Sequence, residues 1–407
     1  MVSKCFFENE FPKYSNETAN PFLDDTKNAL SENFQCKLNN FKNEKLLHLT
    51  TELNKDLFHD GTVYTGSAGM ALYYLMFSLN GNKVSHSMLQ QALEYIDINS
   101  LKGRRISFLC GDAGPLAIAT VISYKLGNRR PDSLPEYHNL VKRLINLISL
   151  VQDSPDELLY GRVGYLYALL FVNKYIGERN GIPANNIEKV ITSVLKSGKQ
   201  FSKQMKSESP LLWEWHDKIY LGAAHGISGI LYILLQGRSY ITADEIRSYI
   251  KPTLDWLLNQ RFPSGNFPSS LKSSSGDRLV QWCHGAPGFV SLYLLAYQIF
   301  HDEKYLNTAI QCGDVIWQRG LCAKGYSICH GVSGNAYAFL HLYQVTKRAV
   351  YLYRACCFME WSACERPGSE LHRPDRPASL FEGLLGRIYL AADIVNPLEA
   401  KFPAFCL

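Results

Sequence analysis

The sequence has little net charge and no extended basic cluster. It contains 42 Lys and Arg residues against 37 Asp and Glu residues, so the formal net charge of the 407 residues is +5. No run of basic residues is longer than a pair such as Arg104-Arg105. Proteins whose main partner is nucleic acid concentrate Lys and Arg on one face. We therefore expect no nucleic-acid partner, whereas a weakly anionic small molecule or a transient membrane contact is compatible with this composition.

The sequence also lacks a membrane-spanning segment. A membrane-spanning helix needs about 20 mostly uncharged apolar residues, but the longest apolar stretch, 106–124, is interrupted by Asp112, two glycines and Pro115. The first residues, Met1-Val2-Ser3-Lys4, are followed by acidic and polar residues rather than by the apolar centre of a signal peptide. We expect a cytoplasmic protein, with at most a peripheral association with the plasma membrane.

The cysteines do not form the pattern of a disulfide framework. There are 11 of them, an odd number, and Cys356 and Cys357 are adjacent. Hydrophobic residues make up 46% and charged residues 19% of the chain, which is typical of a globular protein with a large core and excludes a disordered or fibrous chain. We therefore expect reduced thiols that are available for metal binding or catalysis.

A Gly-x-x-Gly element recurs seven times, and each copy is followed by an apolar run. The first glycines of successive copies are between 45 and 65 residues apart. One such element has no significance, but seven at nearly even spacing indicate a repeat architecture. The elements begin at Gly66, Gly111, Gly161, Gly226, Gly285, Gly331 and Gly383.

Each repeat is predicted to contain one buried helix and one amphipathic helix. The runs 70–76 and 165–171 are apolar on all sides, as buried helices are. The segment 140–148 instead places its apolar residues on one helical face. Seven such pairs predict an all-α fold, an (α/α)7 toroid with seven inner and seven outer helices. An open solenoid is the alternative, but the last repeat has no polar cap, which favours closure into one domain over residues 1–407.

Cysteine and histidine residues stand directly before several of the repeated glycines. Cys283-His284 and Cys329-His330 are the same dipeptide at the same place in two repeats, and His225 precedes the glycine of a third. Two thiolates and one imidazole are a zinc ligand set that leaves a fourth position for solvent or substrate. Spacing alone does not choose three ligands from the two dipeptides, and four ligands would make a closed, structural site.

Longer motifs around these glycines resemble the eukaryotic LanC-like family, the relatives of the bacterial lanthionine synthetase C cyclases, over essentially the whole chain. The resemblance implies the double ring of helices and a zinc ion held by Cys283, Cys329 and His330, with His284 outside the ligand set. The motifs that carry it are Phe108-Leu109-Cys110-Gly111-Asp112-Ala113-Gly114-Pro115, Gly222-Ala223-Ala224-His225-Gly226, Trp282-Cys283-His284-Gly285-Ala286-Pro287-Gly288, Tyr326-Ser327-Ile328-Cys329-His330-Gly331, Ser379-Leu380-Phe381-Glu382-Gly383 and Phe402-Pro403-Ala404-Phe405.

The resemblance further implies a glutathione transferase that acts on electrophilic small molecules and on dehydroalanine or dehydrobutyrine residues of proteins. Such a reaction suits zinc, because the metal deprotonates a bound thiol. The family lysine that contacts glutathione corresponds to Lys324. A second family contact, an Arg-x-Pro-Asp-like stretch, corresponds to His372, Arg373, Pro374 and Asp375. This sequence departs from the pattern there, because the arginine is shifted by one position.

Three residues are candidates for the acid–base chemistry. We predict His225 as the acid that protonates the enolate formed by thiol addition, with a structural histidine as the alternative. Asp112 is predicted to orient a histidine or to contact substrate, with capping of a helix as the alternative. His284 is the third catalytic candidate. Arg162 and Glu382 flank the glycines of two other repeats. They either line the bowl of the toroid or pair with one another, and we expect the pair.

Two other functions are open at this point. One is a non-catalytic adaptor that binds glutathione and signalling proteins and whose zinc is structural. The other is an (α/α) toroidal glycosidase or cyclase, but that class generally needs paired carboxylates, whereas the glycine turns here offer mainly Cys and His. The sequence favours the transferase.

Overall fold

The computed structural model describes residues 5–15, 17, 20–51, 60–80, 83–274, 276–364, 371 and 373–407. Within them the chain is predominantly helical, as predicted, and the named strands are two dipeptides, β1 (Leu79–Asn80) and β2 (Lys83–Val84), which pair antiparallel. The helices are α1 (Glu32–Thr51), α2 (Ala68–Ser78), α3 (His86–Leu93), α4 (Ala113–Leu126), α5 (Tyr137–Asn146), α6 (Arg162–Ile176), α7 (Ala184–Gln204), α8 (Ile227–Gln236), α9 (Ala243–Glu245), α10 (Lys251–Leu258), α11 (Ala286–Phe300), α12 (Glu303–Arg319), α13 (Val332–Thr346), α14 (Ala349–Ala363) and α15 (Leu384–Asp393). A π-helical turn, Ile246–Ile250, joins α9 to α10.

A buried helix begins inside each of the seven Gly-x-x-Gly elements. These helices are α2, α4, α6, α8, α11, α13 and α15, and most of their residues are buried. The turns need glycine for a steric reason, because a Cβ atom on Gly334 would lie 1.9 Å from the carbonyl oxygen of Ile328. Gly285 in addition has a φ of +108°, a conformation that L side chains rarely adopt.

Amphipathic helices pack against most of the buried helices. Helix α7 buries the predicted face, with Ile187, Val190, Ile191 and Val194 all buried, and it contacts α6. The pairs α2–α3, α4–α5, α11–α12 and α13–α14 are likewise in contact. The alternation of buried and amphipathic helices predicted from the sequence is therefore present.

The last buried helix, α15, packs against α1, the first helix of the chain. The buried residues of α1 are Phe34, Leu38, Phe41 and Leu49. This pair thus combines helices from opposite ends of the sequence, so the amphipathic partner of α15 precedes the first glycine element.

Contacts between Cα atoms divide the chain into two compact units. The first contains the described residues of Met1–Leu57, Leu221–Ala223 and Gln260–Pro403, and the second those of Phe58–Tyr220, Ala224–Asn259 and Ala404–Leu407. In the first unit the buried helix α13 contacts both α11 and α15, and in the second α4 contacts α2 and α6, and α6 contacts α8. A single domain over residues 1–407 stays a prediction. None of the helices in the described part of the chain is long and apolar enough to cross a membrane.

Candidate metal centre

Two thiols and one imidazole from two different glycine turns lie together in the first unit. The Sγ atoms of Cys283 and Cys329 and a ring nitrogen of His330 all lie within 4.8 Å of one another. Both cysteines are buried and His330 is partly buried. In the described part of the chain this is the only group of three or more Cys, His, Asp or Glu side chains with such spacing.

Backbone hydrogen bonds between successive turns bring the two cysteines together. The N–H of Cys283 donates to the carbonyl of Cys329 at 3.2 Å, and the N–H of Cys329 donates to the carbonyl of Phe381 at 2.9 Å. The N–H of His330 donates to Ser327 Oγ at 3.3 Å. Because the repeats have the same local conformation, residues 46 positions apart in the chain occupy equivalent places in adjacent turns.

The electrostatics of this group favour a bound cation. The neighbouring Cys329 and burial raise the pKa of the Cys283 thiol well above its usual range. Burial lowers the pKa of His330, but Cys329 and Glu382 outweigh it, and the net pKa is raised. A divalent cation would supply the positive charge that two buried thiolates require. The donor set, two sulfurs and one imidazole nitrogen, fits zinc and leaves one tetrahedral position for another ligand.

His284 lies outside the three-residue group, as the family resemblance implies. Its backbone N–H and carbonyl exchange hydrogen bonds of 3.1 Å with Gln281, and its side chain is partly buried. The structure therefore brings together Cys283, Cys329 and His330, and the other histidine of the two dipeptides is not part of this group.

The first unit also contains a cavity of about 320 Å³, and Ser327, which accepts the N–H of His330, is one of its lining residues. Two predicted glutathione contacts, Lys324 and Pro374, line it. Arg373 and Asp375 are not among its described lining residues, although Asp375 is near enough to Glu382 to raise the pKa of that carboxyl, after the larger effect of burial. His372 lies outside the described residues.

The second unit holds His225 in a carboxylate–imidazole pair. Its Nδ1 lies 2.7 Å from Oε2 of Glu157, whose side chain is 1% exposed. The ring also stacks on Trp215 with a centroid distance of 4.1 Å. A carboxylate oxygen accepts the hydrogen bond of such a pair, so Nδ1 is its donor.

Asp112 occupies the N-cap position of α4, but its side chain makes no capping hydrogen bond. Its Oδ2 instead accepts the backbone N–H of Arg104 at 3.2 Å, and the residue is partly buried. The alternative prediction that its side chain caps the helix is therefore wrong. Its role toward a histidine or a substrate stays a prediction.

The predicted pairing of Arg162 with Glu382 is wrong. The guanidinium Nε of Arg162 lies 2.9 Å from Oδ1 of Asp156, and its Nη1 donates to Ser193 at 2.6 Å. Glu382 lines the cavity of the first unit. The nearby Asp156, six residues before Arg162, supplies the local partner that the repeat pattern did not reveal.

Glu157 is the principal site residue that the sequence reasoning missed. It stands four residues before the first glycine of its repeat, where other repeats carry a polar residue such as Ser107, Ser327 or Ser379. In each case the side chain accepts the N–H of the residue three positions later. This repeated polar position was the available signal, and the side chain of Glu157 is longer than those of the three serines, so it satisfies the turn and also reaches His225.

Comparisons with known proteins identify relatives along the whole chain. The family model described as lanthionine synthetase C-like protein matches residues 58–407. The chain is 42% identical to "Glutathione S-transferase LANCL1" of Danio rerio over 415 aligned positions that cover 100% of both chains. It is 33% identical to "LanC-like protein GCL1" of Arabidopsis thaliana, with 85% of this chain and 81% of that one covered.

A solved structure shares the fold. The chain titled "Nisin cyclase" superposes with a TM-score of 0.63 at 18% identity, covering 91% of this chain and 96% of that one. This match, together with the family model, confirms the predicted all-α fold of the (α/α)7 class. The sequence resemblance to the LanC-like family is confirmed as well.

Proposed function

Because the chain belongs to the lanthionine synthetase C-like family, we propose that it is a zinc-dependent glutathione transferase that joins the glutathione sulfur to an electrophilic carbon. The observation that carries the proposal is the convergence of Cys283, Cys329 and His330 in the same unit as a cavity lined by Lys324. The name of the 42% identical relative, a glutathione S-transferase, supports the same reaction class.

Cys283, Cys329 and His330 are the proposed zinc ligands. Zinc held there would lower the pKa of a substrate thiol that takes the remaining ligand position, so that the thiol loses its proton at neutral pH. The two cysteine side chains and the imidazole keep that position within a largely buried environment. Lys324, on the wall of the cavity in the same unit, attracts the anionic part of the substrate.

His225 is the proposed proton donor of the reaction. When a thiolate adds to the β-carbon of an unsaturated carbonyl compound, a C–S bond forms and the π electrons move toward the carbonyl oxygen as an enolate. The protonated imidazole then donates its Nε2 proton to the α-carbon, and the proton lost by the incoming thiol restores it. Glu157, hydrogen-bonded to Nδ1 at 2.7 Å, stabilises the imidazolium form and fixes its orientation.

The proposed electrophiles include small unsaturated molecules and the dehydroalanine and dehydrobutyrine residues of proteins. Both are α,β-unsaturated carbonyl compounds, so the same thiol addition and the same proton transfer serve for each. The family resemblance supports the second class, and the shared chemistry supports the first.

Removal of a zinc ligand tests this function. We expect Cys329→Ala to lose bound zinc and glutathione conjugation together, as measured by metal analysis and by an electrophile-conjugation assay. The matched control is Cys312→Ala, which removes another buried thiol outside the metal group and should keep both properties. Conjugation at the wild-type rate by zinc-free Cys329→Ala would contradict the proposal. Equal background rates for the wild type and His225→Ala would favour a non-catalytic binding protein.

A further inference from the structure

Two aromatic side chains of the second unit lie parallel to the imidazole of His225. Trp215 stacks on the imidazole with a centroid distance of 4.1 Å and an angle of 15° between the planes. The ring of Tyr160 is parallel to both, with its centroid 5.8 Å from Trp215 and 6.2 Å from His225. A third ring stacked on the pair would be farther from one of its members than Tyr160 is from either. Tyr160 therefore lies beside the stacked pair, and we call Trp215 and Tyr160 the aromatic wall.

Tyr160 exposes part of its ring although the end of its side chain is anchored. The residue is 47% exposed, whereas Cys110 is only 7% exposed. Burial, followed by the effects of Cys110 and Glu157, raises the pKa of Tyr160 to about 12, and its hydroxyl shares a hydrogen bond with Cys110. The hydroxyl is therefore uncharged at neutral pH, and the bond to Cys110 limits the movement of the ring.

A tight turn determines the position of Trp215. Trp215 and Lys218 exchange backbone hydrogen bonds of 3.0 and 3.2 Å, so the turn between them contains only two residues. These residues, His216 and Asp217, have φ angles of +47° and +57°. Side chains other than glycine rarely adopt such angles, and backbone strain of this kind is concentrated at active sites and ligand contacts. Trp215 is therefore held beside His225 before any ligand binds.

The surroundings of the aromatic wall favour a planar, uncharged occupant. Aromatic faces attract other planar conjugated groups by stacking, and they also attract cations. Arg105 lies close enough to Tyr160 to oppose the rise of its pKa, and this positive charge disfavours a cation. Glu157, the nearby carboxylate, is almost completely buried and hydrogen-bonded to His225, so it is not accessible to a cation either.

We propose that the aromatic wall binds the electrophile and gives the reaction a preference for unsaturated carbonyl compounds that carry a planar aromatic group. The inference rests on the proposed function, in which His225 protonates the α-carbon of the electrophile. An electrophile that receives this proton contacts the imidazole and therefore lies within reach of the parallel rings beside it. The wall takes no part in bond formation, and its contribution is to hold the aromatic substituent while the C–S bond forms at the β-carbon.

Two matched ketones test this preference. Benzylideneacetone and ethylideneacetone are both α,β-unsaturated ketones, and the first carries a phenyl group on the β-carbon where the second carries a methyl group. On zinc-loaded protein with saturating glutathione, we expect Tyr160→Leu to lower kcat/KM for benzylideneacetone about fivefold and to leave the value for ethylideneacetone unchanged. Leucine keeps an apolar side chain but has no ring face. Tyr160→Phe keeps the ring and should restore the wild-type value for benzylideneacetone.

The matched control is Tyr249→Leu, which removes another tyrosine of the second unit, one whose ring contacts Nζ of Lys199 at 3.8 Å. It should leave kcat/KM unchanged for both ketones. A binding measurement separates recognition from turnover, because benzylacetone, the saturated ketone, has no double bond for a thiol to attack. In a titration followed by ligand-observed NMR, its Kd should be about fivefold higher for Tyr160→Leu than for the wild type.

The outcomes distinguish the aromatic wall from the proposed transferase. If Tyr160→Leu lowers kcat/KM equally for both ketones, or lowers neither, the proposed wall is wrong, while conjugation by the wild type leaves the transferase standing. If Tyr160→Leu weakens benzylacetone binding as expected but the wild type conjugates neither ketone, the transferase fails and the wall stands as a binding surface. If the wild type neither binds benzylacetone nor conjugates either ketone, both are overturned.

Discussion

Glu157 forms hydrogen bonds in two directions. Its carboxylate accepts the backbone N–H of Leu159 at 2.9 Å and that of Tyr160 at 2.5 Å, which holds the glycine turn. The same carboxylate accepts a hydrogen bond from Nδ1 of His225. Since the side chain is almost completely buried, its charge acts on the imidazole with little screening by water.

We expect Glu157→Gln to lower kcat for glutathione conjugation about a hundredfold without changing KM for glutathione. The amide oxygen still accepts a turn N–H, but the amide group places a neutral donor beside Nδ1, which disfavours both the required tautomer and the imidazolium. The measurement is steady-state kinetics on zinc-loaded protein. The double variant with His225→Ala should be no slower than His225→Ala alone, because both changes affect one proton transfer.

Thr62→Ala is the matched control for this prediction. It removes the turn acceptor at the equivalent position of the first repeat, where Thr62 Oγ1 accepts the N–H of Thr65, and it leaves the Glu157–His225 pair intact. A kcat for Glu157→Gln within twofold of the wild type would exclude a positioning role for this carboxylate.

The sequence predicted some site residues and missed others for a physical reason. Cys283 and Cys329 were found because the same dipeptide stands at the same place in two repeats, so the repeat itself implies proximity. The partner of His225 is 68 residues away in the chain and belongs to a different position of the repeat. Arg162 was assigned the wrong partner because the local acid, Asp156, is not part of the glycine motif.

At the scale of the element, the glycine turn determines where each buried helix begins. In five of the seven elements the second glycine packs against the carbonyl oxygen of the residue six positions earlier, and a Cβ atom on Gly334 would lie 1.9 Å from the oxygen of Ile328. Backbone atoms cannot move aside as a flexible side chain does. The helix starts were therefore predictable from the sequence, because only glycine permits this approach.

We expect Gly334→Ala to lower the free energy of unfolding by about 2–3 kcal/mol and to reduce zinc content. The added methyl group displaces the turn that carries Cys329 and His330. Urea unfolding and metal analysis measure the two effects. Gly61→Ala is the control, because no heavy atom lies within 4 Å of a Cβ at that position. Equal stability and zinc content for both variants would contradict the packing role of Gly334.

Helix α15 ends at Asp393, a partly buried residue whose carboxyl group accepts two hydrogen bonds. Oδ2 of Asp393 accepts the hydroxyl of Tyr337 on α13 at 3.0 Å and the N–H of Lys401 at 2.9 Å. Burial raises the pKa of Asp393 to about 7, although both hydrogen bonds oppose the shift. The folded protein therefore binds a proton here at pH values where the unfolded chain has released it.

We expect Asp393→Asn to stabilise the protein relative to the wild type as the pH rises from 4 to 7, by up to about 4 kcal/mol. Because the folded pKa is higher than the unfolded one, the contribution of Asp393 to stability falls with rising pH in this range and is constant above it. The amide is uncharged at every pH and lacks this dependence. Urea unfolding of both proteins from pH 4 to 8 gives the difference. A constant difference between the two curves would contradict a carboxyl group that keeps its proton in the folded protein.

The pairing of α1 with α15 is the element-scale feature that the sequence did not predict. The glycine elements identify the buried helices, but α1 precedes the first of them and carries no such marker. Its apolar residues, such as Phe34, Leu38 and Phe41, define a helical face without indicating the helix that covers it. Lys45 and His48, which lie on α1 and line the cavity of the first unit, were therefore not predicted from the sequence either.

At the scale of the whole molecule, the seven repeats predicted the fold class better than chain length did. Division of 407 residues by about 150 residues per domain suggests two or three consecutive domains. The repeats instead predicted a single helical fold, since one helix pair cannot bury its apolar faces without neighbours, and the shared fold with nisin cyclase confirms the class. The two compact units are also not consecutive in sequence, because each consists of several segments. Leu221–Ala223, for example, belongs to the first unit but lies in sequence between stretches of the second.

Zinc dependence of conjugation tests the central claim most directly. The metal is removed with a chelator and added back in steps, and the rate of glutathione conjugation is measured against bound zinc per chain. We expect the rate to fall to background without zinc and to rise in proportion to the bound zinc when the metal is added back. The rise should stop at one ion per chain, because Cys283, Cys329 and His330 form one metal site. A rate that stays at the wild-type level in zinc-free, folded protein would contradict the proposed function.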